Sequence, residues 1–306
     1  MMRATTRVRF GTRVVPGCTK DRTGKNFPAP PHHAPLKAAA GGGTQTPSSP
    51  KSQVPNPKSH LPMHDQSLPI STVESLPISE TFVSIQGEGK LTGVPSWFVR
   101  VSGCNLRCVW CDTPYASWKP EGKTRTIADL LEEASGVKRR GVAHAVVTGG
   151  EPMMFAAIEA LIAGLSREGI HVTVETAGTI FRDVAADLMS ISPKLANSTP
   201  PEAVGGAWTA RHESRRINTP ALQQLLDRYA DRQLKFVLAD AREVREIDGV
   251  LSSLRGWKPE EVLLMPEGVS SPSRERTQAL AALCVERGWR YCHRLHIEVY
   301  GNKRGT

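Results

Sequence analysis

A chain of 306 residues, 23% charged, 39% hydrophobic and only 6% aromatic, has room for one large domain or two small ones. Its formal charge of +9 sits almost wholly in Met1–Asp65, with 10 Lys/Arg against 2 Asp/Glu, while the remainder carries 29 against 28. The basic balance therefore gives no ground for a folded reader of nucleic acid or acidic membrane. No run approaches the roughly 18 apolar residues of a membrane span, and the N-terminus has no apolar signal core, so a cytoplasmic protein is expected.

Residues 1–75 are expected to be disordered: 11 of the 23 prolines fall in the first 70 residues, and Pro28-Ala-Pro-Pro-His-His-Ala-Pro or Ala38-Ala-Ala-Gly-Gly-Gly offers few large apolar side chains to offset ordering entropy. The Arg-rich, acid-poor start (Arg3, Arg7, Arg9, Arg13) suits an organelle transit peptide, and an over-long start with initiation at Met63 accounts for it equally. A single folded domain is expected over 76–306.

In chain order, Trp97–Val101, Ala143–Thr148, His171–Glu175, Leu188–Ser192, Gln233–Leu238, Glu261–Met265 and Arg290–Val299 read as strands. Helices are expected from Ile127 with Thr126 as cap, over about Met154–Arg167, from Pro220 with Thr219 as cap, and over about Ser273–Arg287. Alternating strands and helices predict parallel pairing with right-handed crossovers, hence an α/β fold, an incomplete barrel or an open sheet with ligands at the C-terminal strand ends.

Six cysteines in so long a chain do not make a disulfide scaffold, and three of them are packed into Cys104-Asn-Leu-Arg-Cys108-Val-Trp-Cys111. Three thiolates can hold three irons of a [4Fe-4S] cluster and leave the fourth iron to chelate S-adenosylmethionine (SAM), whose reductive cleavage yields a 5'-deoxyadenosyl radical. Zinc is the alternative, but it favours four ligands in paired spacing; Cys284 and Cys292 lie in core-like segments. At the next strand end, Thr148-Gly-Gly-Glu-Pro152 places two glycines where backbone can approach a ligand.

Cysteine triad and Gly-Gly-Glu-Pro together resemble the radical SAM superfamily. Glu80-Thr-Phe-Val-Ser-Ile-Gln-Gly-Glu-Gly89, Phe98-Val-Arg100, Cys111-Asp-Thr113-Pro-Tyr115, Glu175-Thr-Ala-Gly-Thr, Ser192-Pro-Lys194 and Gly301-Asn-Lys-Arg-Gly resemble the 7-carboxy-7-deazaguanine synthase family over about residues 78–306. The resemblance implies a carbon–nitrogen lyase on an incomplete TIM-like barrel. It would contract the ring of 6-carboxy-5,6,7,8-tetrahydropterin to 7-carboxy-7-deazaguanine and ammonia, on the route to preQ0 and queuosine.

By the resemblance, Cys104, Cys108 and Cys111 would bind the cluster. Trp110, Cys111, Asp112, Gly150, Ser192, Pro193 and Lys194 would contact SAM, with a weaker match over Met265–Gly268. Ile85, Gln86, Gly87 and Thr148 would hold the pterin, Arg100 its carboxylate, and Thr113 a Mg2+ ion. The resemblance also implies a homodimer and an electron donor such as flavodoxin or ferredoxin. It leaves a substrate role for Thr306 open. Two other readings stay in view: a glycyl-radical-enzyme activase, which leaves Gln86-Gly-Glu-Gly and Thr113 unexplained, and a zinc-stabilised module with a nucleic-acid-binding tail, which leaves the strand-end motifs unexplained.

Overall fold

The computed structural model describes residues 18–20, 26–28 and 74–306. The expected disorder of 1–75 lies outside the described residues, apart from an antiparallel pair, β1 (Cys18–Lys20) with β2 (Asn26–Pro28), in which Thr19 faces Phe27. By internal contacts the chain divides into Met1–Gln66 and Ser67–Thr306.

The second unit is built on one open sheet of nine strands, ordered β11-β10-β9-β8-β7-β6-β4-β3-β5. Its strands are β3 (Ser75–Ile85), β4 (Pro95–Val101), β5 (Lys123–Thr126), β6 (His144–Gly149), β7 (His171–Thr176), β8 (Leu188–Ile191), β9 (Arg232–Leu238), β10 (Val262–Pro266) and β11 (Arg290–Tyr291). Among β4 and β6 to β11 every pairing is parallel, as the strand-helix alternation implies; β3 runs antiparallel to both β4 and β5. The sheet does not close, in keeping with an incomplete barrel.

Strand alternation splits the sheet into two faces. Val99, Val101, Val147, Val174 and Leu234 join Leu130, Leu161, Leu225, Ile247 and Leu280 in one buried cluster. Those leucines and the isoleucine come from α1 (Ile127–Arg139), α2 (Ile158–Arg167), α5 (Thr219–Arg228), α6 (Val244–Ser252) and α7 (Arg274–Arg287), so the helices cover that face. The opposite face carries a polar row: Glu80 pairs in register with Arg100, Arg100 with Thr148, Glu175 with Ser190, and Ser190 with Gln233.

Several boundaries differ from expectation, each for a local reason. β3 and β5 escape the sequence pattern because β3 contains Pro77 and changes partner midway, pairing with β5 up to Ile78 and with β4 from Ile78 onward. Arg290–Val299 is not one strand: β11 ends at Tyr291 and α8 spans Leu295–Tyr300. Its alternating Leu295, Ile297 and Val299 imitate a strand, yet among these only Ile297 is buried. Thr126 caps α1 as expected, its Oγ1 accepting from Asp129 N at 3.1 Å. At α5 the cap is Asn218 rather than Thr219, since Asn218 Oδ1 accepts from Ala221 N. The helix expected from Met154 begins at Ile158, after a single 3-10 turn at Pro152–Met154. Three further helices among the described residues, α3 (Glu202–Gly205), α4 (Ala207–Arg215) and α6, were not foreseen.

Candidate active site

A cavity of about 480 Å³ opens at the C-terminal strand ends. β3 brings Ile85 to it, followed by Gln86 and Gly87; β4 brings Arg100, and the end of β6 brings Thr148 and Gly150. The cysteine loop supplies Trp110, Asp112 and Thr113, the end of β8 supplies Ser192 and Lys194, and β10 supplies Met265. Pro193 is buried but does not line the cavity. Nor do the three cysteines, which pack beside it with Leu106 and Ala177; Trp110 touches that cluster and lines the cavity as well.

Glu175, noted in the sequence only as part of a matching segment, occupies the centre of the polar row. Its carboxylate accepts from Thr148 Oγ1 at 2.8 Å and from Gln86 Nε2 at 3.2 Å. Gln86 Oε1 in turn accepts from Glu88 N at 3.1 Å, which fixes the amide's orientation. Arg100 points away from its buried neighbours Val99 and Val101, as expected. It already holds a carboxylate, however: Nε donates to Glu80 Oε1 at 2.8 Å, and Glu80 also takes Tyr115 OH at 2.9 Å and Arg304 Nε at 3.1 Å. Burial works against the Glu80 carboxylate, but the Arg100, Tyr115 and Arg304 bonds outweigh it and hold its pKa below the usual range. Only Nε of Arg100 is taken in this way, so its two Nη groups remain for a second anion.

The two glycines of Gly-Gly-Glu-Pro, which line the cavity, also meet a packing demand. A Cβ on Gly149, at φ +142°, would meet Val101 O at 2.4 Å, and one on Gly150 would meet Gly103 O at 2.0 Å. These glycines let the β6 end press against the cysteine loop. Glu151 locks the contact: its N donates to Gly103 O at 2.9 Å, and its buried carboxylate accepts from Thr176 Oγ1 and Ala177 N, both at 2.8 Å.

Burial pushes the Cys104 and Cys108 thiols up to about 12, so a bound metal's charge is needed to hold them as thiolates. No three His, Cys, Asp or Glu among the described residues converge on a point where one ion could sit. Cys104, Cys108 and Cys111 pack with Leu106 in one small cluster, so the three thiols are placed together as the ligands of one [4Fe-4S] cluster would be. Cys284 packs in the main core and Cys292 with Val237, Leu263 and Met265, so neither joins the triad.

Lys194 Nζ donates to Ser192 Oγ at 2.8 Å and lies 5.7 Å from the Trp110 ring centre. Asp112 Oδ2 accepts from Arg294 Nη2 at 2.5 Å, and Arg294 also bonds Glu88 Oε1 at 3.0 Å and the Gly268 carbonyl. Thr113 Oγ1 has a single weak neighbour, Cys111 Sγ at 3.7 Å.

Four residues at the site were not singled out from sequence. Lys235 lies buried against Glu88 and lines the cavity; a charged residue within the apolar run Gln233–Leu238 was the available signal. Arg294 joins the same pair. His296 reaches the cavity from α8, and burial pulls its pKa below the ordinary imidazole value. Gly87 makes room for it: a Cβ there would stand 1.8 Å from His296 Nδ1, and Gly87 O accepts from Leu295 N at 2.9 Å. Arg304 and Thr306 also line the cavity, with Arg304 4.0 Å over the Tyr115 ring.

An open, largely parallel sheet with a three-cysteine loop at its C-terminal edge defines a radical SAM protein, and the Radical SAM superfamily model matches residues 98–196. Such a protein carries a [4Fe-4S] cluster and SAM. The chain is 47% identical over 233 residues to the 7-carboxy-7-deazaguanine synthase of Rhodopirellula baltica, covering 76% of this chain and 89% of that one. It is 44% identical over 242 residues to that of Halobacterium salinarum, covering 76% and 93%. The crystal structure of QueE from Escherichia coli superposes with a TM-score of 0.55 at 26% identity, covering 72% of this chain and 95% of that one. The chain belongs to the 7-carboxy-7-deazaguanine synthase family.

Proposed function

We propose that this chain contracts the ring of 6-carboxy-5,6,7,8-tetrahydropterin to 7-carboxy-7-deazaguanine and ammonia, acting as a homodimer in deazapurine synthesis. The observation that carries the reading is the convergence on one cavity of Trp110, Asp112 and Thr113 from the cysteine loop with the row Arg100, Thr148 and Glu175. A pterin is a flat ring with a donor-rich edge and, in this substrate, a carboxylate. The row offers a carboxylate for the edge and a guanidinium for the carboxylate.

In this reading Cys104, Cys108 and Cys111 hold the cluster, and Trp110, Asp112, Gly150, Ser192 and Lys194 hold SAM. When bound, the pair supplies the 5'-deoxyadenosyl radical that takes the hydrogen atom at C6 of the substrate. Glu175 accepts hydrogen bonds from the amino-pyrimidine edge, while Gln86 and Thr148 hold that carboxylate in place. Arg100 offers its two Nη groups to the substrate carboxylate, with Glu80 fixing the guanidinium through Nε. Thr113 Oγ1, free of strong partners, suits Mg2+, a hard cation that keeps most of its waters and asks one or two oxygens of the protein. Fixing both ends of the substrate sets which hydrogen faces the radical.

The test is anaerobic turnover by chain reconstituted with iron and sulfide, given substrate, SAM, reductant and Mg2+, with products read by mass spectrometry. The expected product is 7-carboxy-7-deazaguanine, and Thr113→Ala should remove the stimulation by Mg2+. Formation of 5'-deoxyadenosine alone would overturn the substrate assignment while leaving the radical chemistry standing.

A further inference from the structure

Beyond Cys111 the chain turns through a 3-10 helix at Pro114–Ala116, and Ser117 closes that turn, its N donating to Pro114 O at 3.3 Å. Both neighbours of Ser117 are tied back to the cysteine loop. Ala116 O accepts from Gly103 N at 2.8 Å, one residue before Cys104, and Trp118 Nε1 donates to Cys108 O at 2.9 Å. The backbone between these ties has little freedom, and it sets the Ser117 hydroxyl 3.1 Å from Cys111 Sγ. Ser117 is 3% exposed and does not line the substrate cavity, so the proposed reaction leaves it unexplained.

A hydroxyl has one hydrogen to give. The other acceptor in reach, Thr113 O, lies at 3.5 Å, well beyond the usual O–H···O range. A cysteine holding iron is a thiolate without a hydrogen of its own, so between Ser117 Oγ and Cys111 Sγ the hydroxyl donates. Two further donors approach the triad: Leu106 N stands 3.4 Å from Cys104 Sγ, and Thr113 Oγ1 3.7 Å from Cys111 Sγ. Ser117 is the nearest of the three donors. Its hydroxyl can also be removed without touching the backbone or the threonine assigned to Mg2+.

We propose that Ser117 tunes the reduction potential of the cluster, its hydroxyl raising that potential through the hydrogen bond to Cys111. The inference rests on the reading of Cys104, Cys108 and Cys111 as cluster ligands. Reduction takes one electron from an external reductant, with no bond formed or broken, and part of the added charge falls on the ligand sulfurs. A donor to sulfur stabilises this reduced form more than the oxidised one. Burial keeps water from competing for the sulfur, which leaves the hydroxyl its full effect. The bond thus makes the cluster easier to reduce and a milder reductant toward SAM.

The experiment uses the full chain with iron and sulfide restored, without SAM or substrate, titrated with a low-potential reductant against mediators while EPR reads the reduced cluster. At the potential where half of the parent's cluster is reduced, Ser117→Ala is expected to hold about tenfold less reduced than oxidised cluster. That is a shift of about 59 mV to lower potential for one electron. Ser117→Thr, which keeps the hydroxyl, should return toward the parent's midpoint. Pulsed EPR in deuterated buffer should find one exchangeable hydrogen fewer beside the reduced cluster of Ser117→Ala. A Ser117→Ala midpoint equal to the parent's would overturn the proposal. So would a shift shared in full by Ser117→Thr, which would trace it to packing rather than to the hydroxyl. A Ser117→Ala chain that takes up no cluster overturns it too, leaving Ser117 as a support for the ligand loop. A parent that takes up no cluster would bring down the ligand reading with it, whereas a loaded parent and an unshifted variant strike the role of Ser117 alone.

Discussion

Glu175 illustrates how one side chain is made available for recognition. Thr148 and Gln86 each give it one hydrogen bond, leaving each oxygen with a further lone pair at the cavity. Replacing it by Gln keeps the shape and removes the charge. A hydrogen bond to a charged group contributes about 1.5–3 kcal/mol, so Glu175→Gln should lower kcat/KM for the pterin by roughly 10- to 100-fold in steady-state kinetics. Its thermal midpoint should stay at the parent value. A drop in midpoint without a kinetic change would mean that Glu175 serves only to link β6 and β7. Arg100 differs in that part of its charge is already spent on Glu80, which orients the guanidinium at the cost of some attraction for a second anion.

At the scale of elements, small polar bridges hold the sheet in register and the cavity in shape. His144, 5% exposed, joins three strands: Ser96 Oγ donates to Val94 O and so accepts from His144 Nδ1 at 2.6 Å, and Nε2 accepts from Thr173 Oγ1 at 2.8 Å. Burial, with nearby His171 adding to it and Asp187 opposing, holds its pKa down to about 4 against the ordinary 6.5. Between those values the unfolded chain binds a proton that the folded chain does not, so stability is complete above pH 6.5 and falls as the pH drops toward 4. The loss from this residue is roughly 3 kcal/mol at about 1.4 kcal/mol per unit. Urea midpoints across that range should decline less steeply for His144→Gln than for the parent; equal slopes would assign the acid sensitivity elsewhere. Arg294 plays a comparable part at the other end of the sheet, joining Asp112 of the cysteine loop, Glu88 of the β3–β4 connection and Gly268 after β10. Lysine is a point charge that cannot fork to three partners. Arg294→Lys should therefore lose about 2 kcal/mol in urea denaturation, less than the 3–5 kcal/mol for stripping a buried pair outright, because Lys235 stays beside Glu88. The KM for SAM should rise with it as Asp112 loses its anchor.

Across the whole molecule, what could be read in advance was what a short stretch decides. The parallel strands β4 and β6–β10, the cap at Thr126 and the cysteine loop each rest on a few contiguous residues, and all appear where expected. What could not be read depends on distant partners: β3 is a strand because β4 and β5 flank it, α8 is a helix although its apolar residues alternate, and Gly149 and Gly150 are packed so closely against Val101 at the end of β4 and Gly103 at the start of the cysteine loop that a Cβ would collide there. Lys235 and His296 come to the cavity, and Arg294 to the Glu88 beside it, from segments far along the chain, Arg294 lying 206 residues beyond Glu88. The site residues discussed above all fall within the unit Ser67–Thr306, while the excess positive charge falls in Met1–Asp65. A chain beginning at Met63 holds 29 Lys/Arg against 29 Asp/Glu, so its charge balance is neutral where the full chain carries +9. The cavity-lining residues all lie after Met63, so the shortened chain keeps every one of them and loses only the excess charge. The shortened chain should therefore keep the kcat and KM of the full chain for the pterin, and should elute from a cation exchanger at much lower salt. A fall in kcat with unchanged iron content would show instead that residues before Met63 take part in the reaction.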